Sequence, residues 1–145
     1  MELTLSHPAL KIEEKKMSNK KTVSIWTANA DWQQSTLREI VTPAYSDDGE
    51  SLGSEFSNAF SLGFIDDDFI EADFVEPTKN LEKAIEDFSY DSDIIAEIKR
   101  KTSLLHLKKI NTVIAIYNCA YKGKTTTSIL RGIEFTYRGQ FKYQD

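Results

Sequence analysis

The sequence predicts a small α+β domain: a mostly antiparallel sheet with helices packed on it. Three observations carry that expectation. Stretches of period-two alternation near residues 22–27, 69–74 and 128–137 are separated by stretches of helical spacing. Thr112–Asn118 is apolar on both faces and reads as the central strand. The 145 residues are 40% hydrophobic and 11% aromatic, enough for one domain with one real core.

Residues 1–21 read as an N-terminal extension and residues 22–145 as the single α+β domain. Met17-Ser18-Asn19-Lys20-Lys21 resembles a natural polar start, and the Glu13-Glu14 codons fit a purine-rich ribosome-binding run. Two readings stay open: a native start at Met17 with residues 1–16 as leader, or a true tail.

Thr22–Thr27 is β-rich, with Val23, Ile25 and Thr27 on one face and Ser24 and Trp26 on the other. Asn29 or Asp31 is expected to cap a helix to about Val41, with Trp32, Thr36, Leu37 and Ile40 on its stripe, stopped by Pro43. Asp47-Asp48-Gly49 is a turn. Residues 54–60 read as a short helix with Phe56, Ala59 and Phe60 inward, ended by Gly63. Phe69–Phe74 is a half-buried strand: Ile70, Ala72 and Phe74 point to the core, Glu71 and Asp73 to solvent. Pro77 closes it, and Asn80 or Thr78 caps a helix carrying Leu81, Ala84, Ile85 and Phe88.

A second helix is expected from about Asp93 to Lys108, with Ile94, Ile95, Ile98 and Leu105 apolar and lysines toward its end. After the central strand, residues 120–127 read as a hairpin-like connection. Ser128–Tyr137 reads as one strand, and Gly139 as a turn before Phe141 and Tyr143.

Charge is the feature that stands above background. From Asp47 to Asp93 there are fifteen carboxylates and two lysines, whereas the remainder has sixteen basic and eight acidic residues. Such asymmetry bears on partners and association rates. It argues against binding nucleic acid. One cysteine, Cys119, excludes an internal disulfide framework and suits a reducing compartment. No apolar run has the length to span a bilayer, so a cytoplasmic soluble protein with no membrane partner is expected.

The chemistry-bearing motifs are sparse. Gly123-Lys124-Thr125 resembles the end of a phosphate-binding loop, but Asn118 stands where that motif needs glycine. Asp66-Asp67-Asp68 with Glu71 lacks the alternate acidic positions and central glycine of a calcium loop. His106 and Cys119 alone cannot assemble a zinc site, and no spacing links them as a catalytic pair. No catalytic residue, metal or cofactor is assigned. The candidate partner-binding residues are Asp47, Asp48, Glu50, Asp66, Asp67, Asp68, Glu71 and Asp73, carboxylates able to imitate nucleic-acid phosphates. The plain alternative is a solvated surface.

A set of blocks taken in order resembles a known family. They are Val23-Ser24-Ile25-Trp26, Asp48-Gly49, Ser54-Glu55-Phe56, the run Asp67–Phe74, the run Leu81–Tyr90 and the run Asn111–Asn118. Together they are similar to the immunity protein 22 family of bacterial polymorphic toxin systems, over about residues 22–138. Lys122–Ser128 departs from it, being basic and threonine-rich where a more acidic hairpin is expected. The resemblance implies a small cytoplasmic protein that binds and neutralises a cognate toxin, in these systems often a nuclease, without catalysis. The acidic face as docking face rests on charge alone. Two other function classes compete with this one: a metal-dependent enzyme built on the acidic cluster, and a general protein-interaction module.

Overall fold

The computed structural model describes residues 20–101 and 107–145. The expectations for the N-terminal extension up to residue 19, for His7, and for Leu105 and His106 lie outside the described residues. In chain order the elements are β1 (Lys20–Ala28), α1 (Gln34–Val41), β2 (Ala44–Tyr45), β3 (Ser51–Gly53), α2 (Glu55–Ala59), β4 (Ile70–Thr78), α3 (Leu81–Ile85), α4 (Asp91–Lys101), β5 (Ile110–Ile116), β6 (Thr127–Leu130) and β7 (Ile133–Gln144). Five strands form one sheet in the order β4-β5-β1-β7-β6, every neighbouring pair antiparallel. β2 and β3 form a separate hairpin. The α+β fold stands, and its helices cover both faces of the sheet.

Alternation assigns each face. Val23 and Ile25 of β1, Val113 and Ala115 of β5 and Phe141 of β7 meet Leu81, Ile85, Ile94 and Ile98 of α3 and α4. On the other side Trp26, Ile114, Ile116 and Phe135 meet Leu37 and Ile40 of α1 and Phe56 of α2. β5 is buried on both faces as expected, but the middle strand is β1, whose residues 23–28 are all buried.

Local chemistry sets the helix ends. Ser54 and Ser57 form a reciprocal capping box on α2, Ser57 N–H to Ser54 Oγ at 2.9 Å and Ser54 N–H to Ser57 Oγ at 2.8 Å. Ser61, at φ 55°, takes the left-handed position after α2, ahead of Gly63. Asn80, not Thr78, caps α3, its Oδ1 accepting from Lys83 N–H at 2.9 Å. α1 begins at Gln34 with no side-chain cap, so neither Asn29 nor Asp31 caps it. α3 ends at Ile85, and a turn with Asp87 at φ 75° delivers Phe88 to the core. α4 starts at Asp91, and Leu107–Lys109 are not helical.

Two expectations about the C-terminal third are corrected. Residues 128–137 are not one strand. Arg131 (φ 50°) and Gly132 (φ 86°) make the two-residue hairpin turn that positive φ at both central positions favours, joining β6 to β7. The segment 120–127 is therefore no hairpin; it carries the chain from β5 past β1 and β7 to the far edge. Arg131 locks that turn onto α1 and α2, with Nη1 at 2.9 Å from Glu39 Oε1 and Nε at 3.0 Å from Glu55 Oε1.

Gly139 does not end a strand. It lies within β7 at φ 130°, where the register against β1 slips by one residue, Ile25 facing Gly139 and Trp26 facing Tyr137. This bulge reverses the strand's parity, so Phe135 and Tyr137 pack on the α1–α2 side and Phe141 and Tyr143 on the α3–α4 side.

Candidate functional site

β4 is an edge strand, hydrogen-bonded only to β5. Edge strands commonly carry charge that discourages pairing with other chains. Pairing with β5 sets which way its carboxylates point. Glu71 lies opposite Ala115 and Asp73 opposite Val113, so both project on the α3–α4 side. Ile70, Ala72 and Phe74 pin the strand from the other side.

The candidate carboxylates fall into two groups. Asp66, Asp67 and Asp68 precede β4 in an exposed turn, where Asp66 Oδ1 accepts from Asp68 N–H at 3.0 Å and starts a single 3₁₀ turn. Asp73 is exposed, its Oδ1 accepting from Phe74 N–H at 2.9 Å. Glu71 departs from the expectation of a solvent-facing side chain. It is half-buried, and its Oε1 accepts from the Tyr117 hydroxyl at 2.6 Å and from Ser89 N–H at 3.1 Å. Burial, with the Glu71 carboxylate as second cause, holds the Tyr117 phenol protonated far above its ordinary range.

Asp47, Asp48 and Glu50 sit apart, on the β2–β3 turn. Ser46 closes that turn by bonding Glu50 and Gly49, and Gly49 takes φ 86°. The hairpin is tied to α2 by Asn58 Nδ2 donating to Leu52 O at 3.1 Å. The structure thus gathers Asp66–Asp68, Glu71 and Asp73 along one edge and anchors the hairpin carboxylates on a different element.

Sequence reasoning missed three further carboxylates. Glu76 on β4 and Glu86 and Asp87 after α3 line the same groove of ≈ 360 Å³ as Glu71 and Asp73, where Lys83 is the one basic side chain. They belong to the acidic block, but nothing local to residues 86–87 shows that the turn after α3 returns to β4. On the opposite side of the edge strand Arg38 of α1 lines a cleft with Asp67, Ile70 and Ala72. Among the described residues, the ion pairs are Lys21–Asp145, Glu97 with Arg100 and Lys101, and Arg131 with Glu39 and Glu55. None of them engages a candidate carboxylate, so among the described residues these carboxylates have no cationic partner.

Chemistry within the chain is otherwise muted. Among the described residues no group of three or more His, Cys, Asp or Glu side chains is placed to hold a metal ion. Cys119 is half-buried, and burial pushes its thiol up, away from the thiolate that a nucleophile needs. Among the described residues no helix is long and apolar enough to cross a membrane.

Fold and surface together define a small α+β domain distinguished by an acidic sheet edge. The chain belongs to the Immunity protein 22 family, whose model matches residues 23–144. No curated protein and no solved structure matches it significantly. Membership makes the protein one of the immunity proteins, whose partner is a cognate toxin.

Proposed function

We propose that this protein works in the cytoplasm as a stoichiometric inhibitor, without turnover of its own, and that its cognate toxin is a basic nuclease which docks on the β4 edge. The observation that carries the reading is the groove where Glu71, Asp73, Glu76, Glu86 and Asp87 face a single lysine, continuing into the exposed Asp66–Asp68 turn. Asp73 stands on a strand held from behind by packed apolar side chains, so little conformational freedom is lost when it binds. Carboxylates spaced along an edge and its adjoining turn offer a nuclease the charge pattern of its substrate backbone, and they steer fast association. Asp47, Asp48 and Glu50 extend the acidic surface from the separate hairpin.

The test is co-expression with the toxin domain encoded beside this gene. Wild-type chain should co-purify with that domain and protect the cells, and its association should slow as salt is raised. The triple reversal Asp67→Lys, Asp68→Lys, Asp73→Lys should weaken binding by about 2–5 kcal/mol, part of it as slower association. Reversing Lys99, Lys101 and Lys108 should change little. Unchanged affinity and full protection by the acidic triple variant would show that the edge is only a solvated surface.

A further inference from the structure

Beside the start of β4 the acidic edge meets an aromatic pocket that the charge argument does not include. Tyr117, Tyr143 and Tyr90 pack ring against ring, with centroids 4.9 Å apart for Tyr90–Tyr143 and 5.4 Å for Tyr117–Tyr143. Tyr117 and Tyr143 are buried, whereas Tyr90 is 42% exposed and Phe69, across the pocket, 37%. The cavity is ≈ 360 Å³, and the carboxylates of Asp68 and Asp145 share its lining with these rings.

Large aromatic side chains left in solvent are of the kind enriched at interface centres. The carboxylates are not equivalent. Asp145 accepts from the Tyr90 hydroxyl at 2.7 Å and pairs with Lys21 Nζ at 3.0 Å, so one side of the rim already receives a cation. Glu71 is committed to Tyr117 and Ser89. Asp68 has no hydrogen bond or ion pair through its side chain among the described residues. The pocket therefore offers aromatic rings and a free carboxylate on its rim. Of the natural cationic side chains arginine fits best: its planar guanidinium stacks on an aromatic face while its edge donates to a carboxylate.

We propose that this pocket receives an arginine side chain of the cognate toxin, its guanidinium stacked on Tyr90 and hydrogen-bonded to Asp68. The proposal rests on the toxin-binding reading above and names the anchor within it. It places the energetic centre of the interface at the aromatic end of the acidic edge, with the groove beside α3 as the steering surface.

The experiment is a titration of the toxin domain encoded beside this gene, labelled with ¹⁵N-arginine, with wild-type chain and two variants. Tyr90→Ala should weaken binding about thirtyfold or more, the signature of a hot spot. Tyr90→Phe, which keeps the ring and loses the hydroxyl, should stay within about threefold of wild type. In the wild-type complex one arginine Nε–H resonance should move by ring-current shift, and that shift should vanish with Tyr90→Ala. Thermal melts of both variants control for folding, and the Nε–H signature reports the contact itself. Wild-type affinity in Tyr90→Ala, or a weakened complex in which no arginine Nε–H shifts even with wild type, overturns the proposal. If wild type binds and only the acidic triple variant fails, the toxin-binding reading survives without this anchor. If wild-type chain does not bind the toxin domain at all, both fall.

Discussion

Glu71 and Asp73 lie two residues apart on one face of one strand, and the structure predicts that reversing Glu71 costs the fold far more than reversing Asp73. Asp73 is exposed, and its one side-chain hydrogen bond is to the next backbone N–H. Asp73→Lys should change stability by no more than about 0.5 kcal/mol, the usual range for surface substitutions. Glu71 accepts two hydrogen bonds from groups 18 and 46 residues away, Ser89 N–H and the Tyr117 hydroxyl. Bonds to a charged group contribute about 1.5–3 kcal/mol each. Two features reduce the loss. The Tyr117 hydroxyl has one proton and sits 3.0 Å from Ser89 O, so it keeps an acceptor when Glu71 is removed. Ser89 is exposed, so its N–H regains water.

The expected cost of Glu71→Lys is therefore about 2–3 kcal/mol, from the lost bonds together with an ammonium forced against the buried Tyr117 phenol. Glu71→Gln, which keeps an acceptor oxygen, should lose about 1 kcal/mol. Urea denaturation followed by tryptophan fluorescence, with equal m-values, measures all three. A double-mutant cycle of Glu71→Gln with Tyr117→Phe should show coupling, because the two side chains share one bond. If Glu71→Lys is as stable as Asp73→Lys, Glu71 is a free surface carboxylate and the hydrogen-bond assignment is wrong. The practical consequence is that charge reversals aimed at toxin binding belong at Asp67, Asp68 and Asp73.

Three further outcomes follow from the fold. Ile114→Ala, at a position fully buried between β5 and the α1–α2 layer, should cost about 2–5 kcal/mol by chemical denaturation. Gly139→Ala places a side chain at φ 130° in the bulge and within 3.4 Å of the Phe141 ring, and should cost about 1–3 kcal/mol. Burial raises the phenols of Tyr117, Tyr137 and Tyr143 above the ordinary tyrosine value of 10.0, so each keeps its proton in the folded chain where the unfolded chain has lost it. Stability from these groups is full below pH 10 and is lost as pH rises beyond it. Absorbance of tyrosinate should show Tyr117, Tyr137 and Tyr143 ionising only with alkaline unfolding, and Tyr117→Phe should soften the alkaline loss.

What the sequence by itself determined is what local periodicity and capping determine. β5 is apolar on both sides of its alternation and is an interior strand. Asn80, one of the two candidates, stands ahead of an apolar stripe and caps α3.

Tertiary structure decided the rest. Strand order is non-local: only the pairing of β4 with β5 alone makes it an edge and puts its carboxylates at a boundary with α3. Alternation runs through residues 128–137, yet positive φ at Arg131 and Gly132 breaks it into a hairpin. One extra residue at the Arg138–Gly139 bulge moves Phe141 and Tyr143 to the opposite face from Phe135. The same limit governs the candidate site. Periodicity gave Glu71 and Asp73 the same face, but a side chain's exposure depends on what packs beside that face. Tyr117 and Ser89 reach Glu71 and, among the described residues, no such group reaches Asp73, a difference made by contacts between residues far apart in the chain.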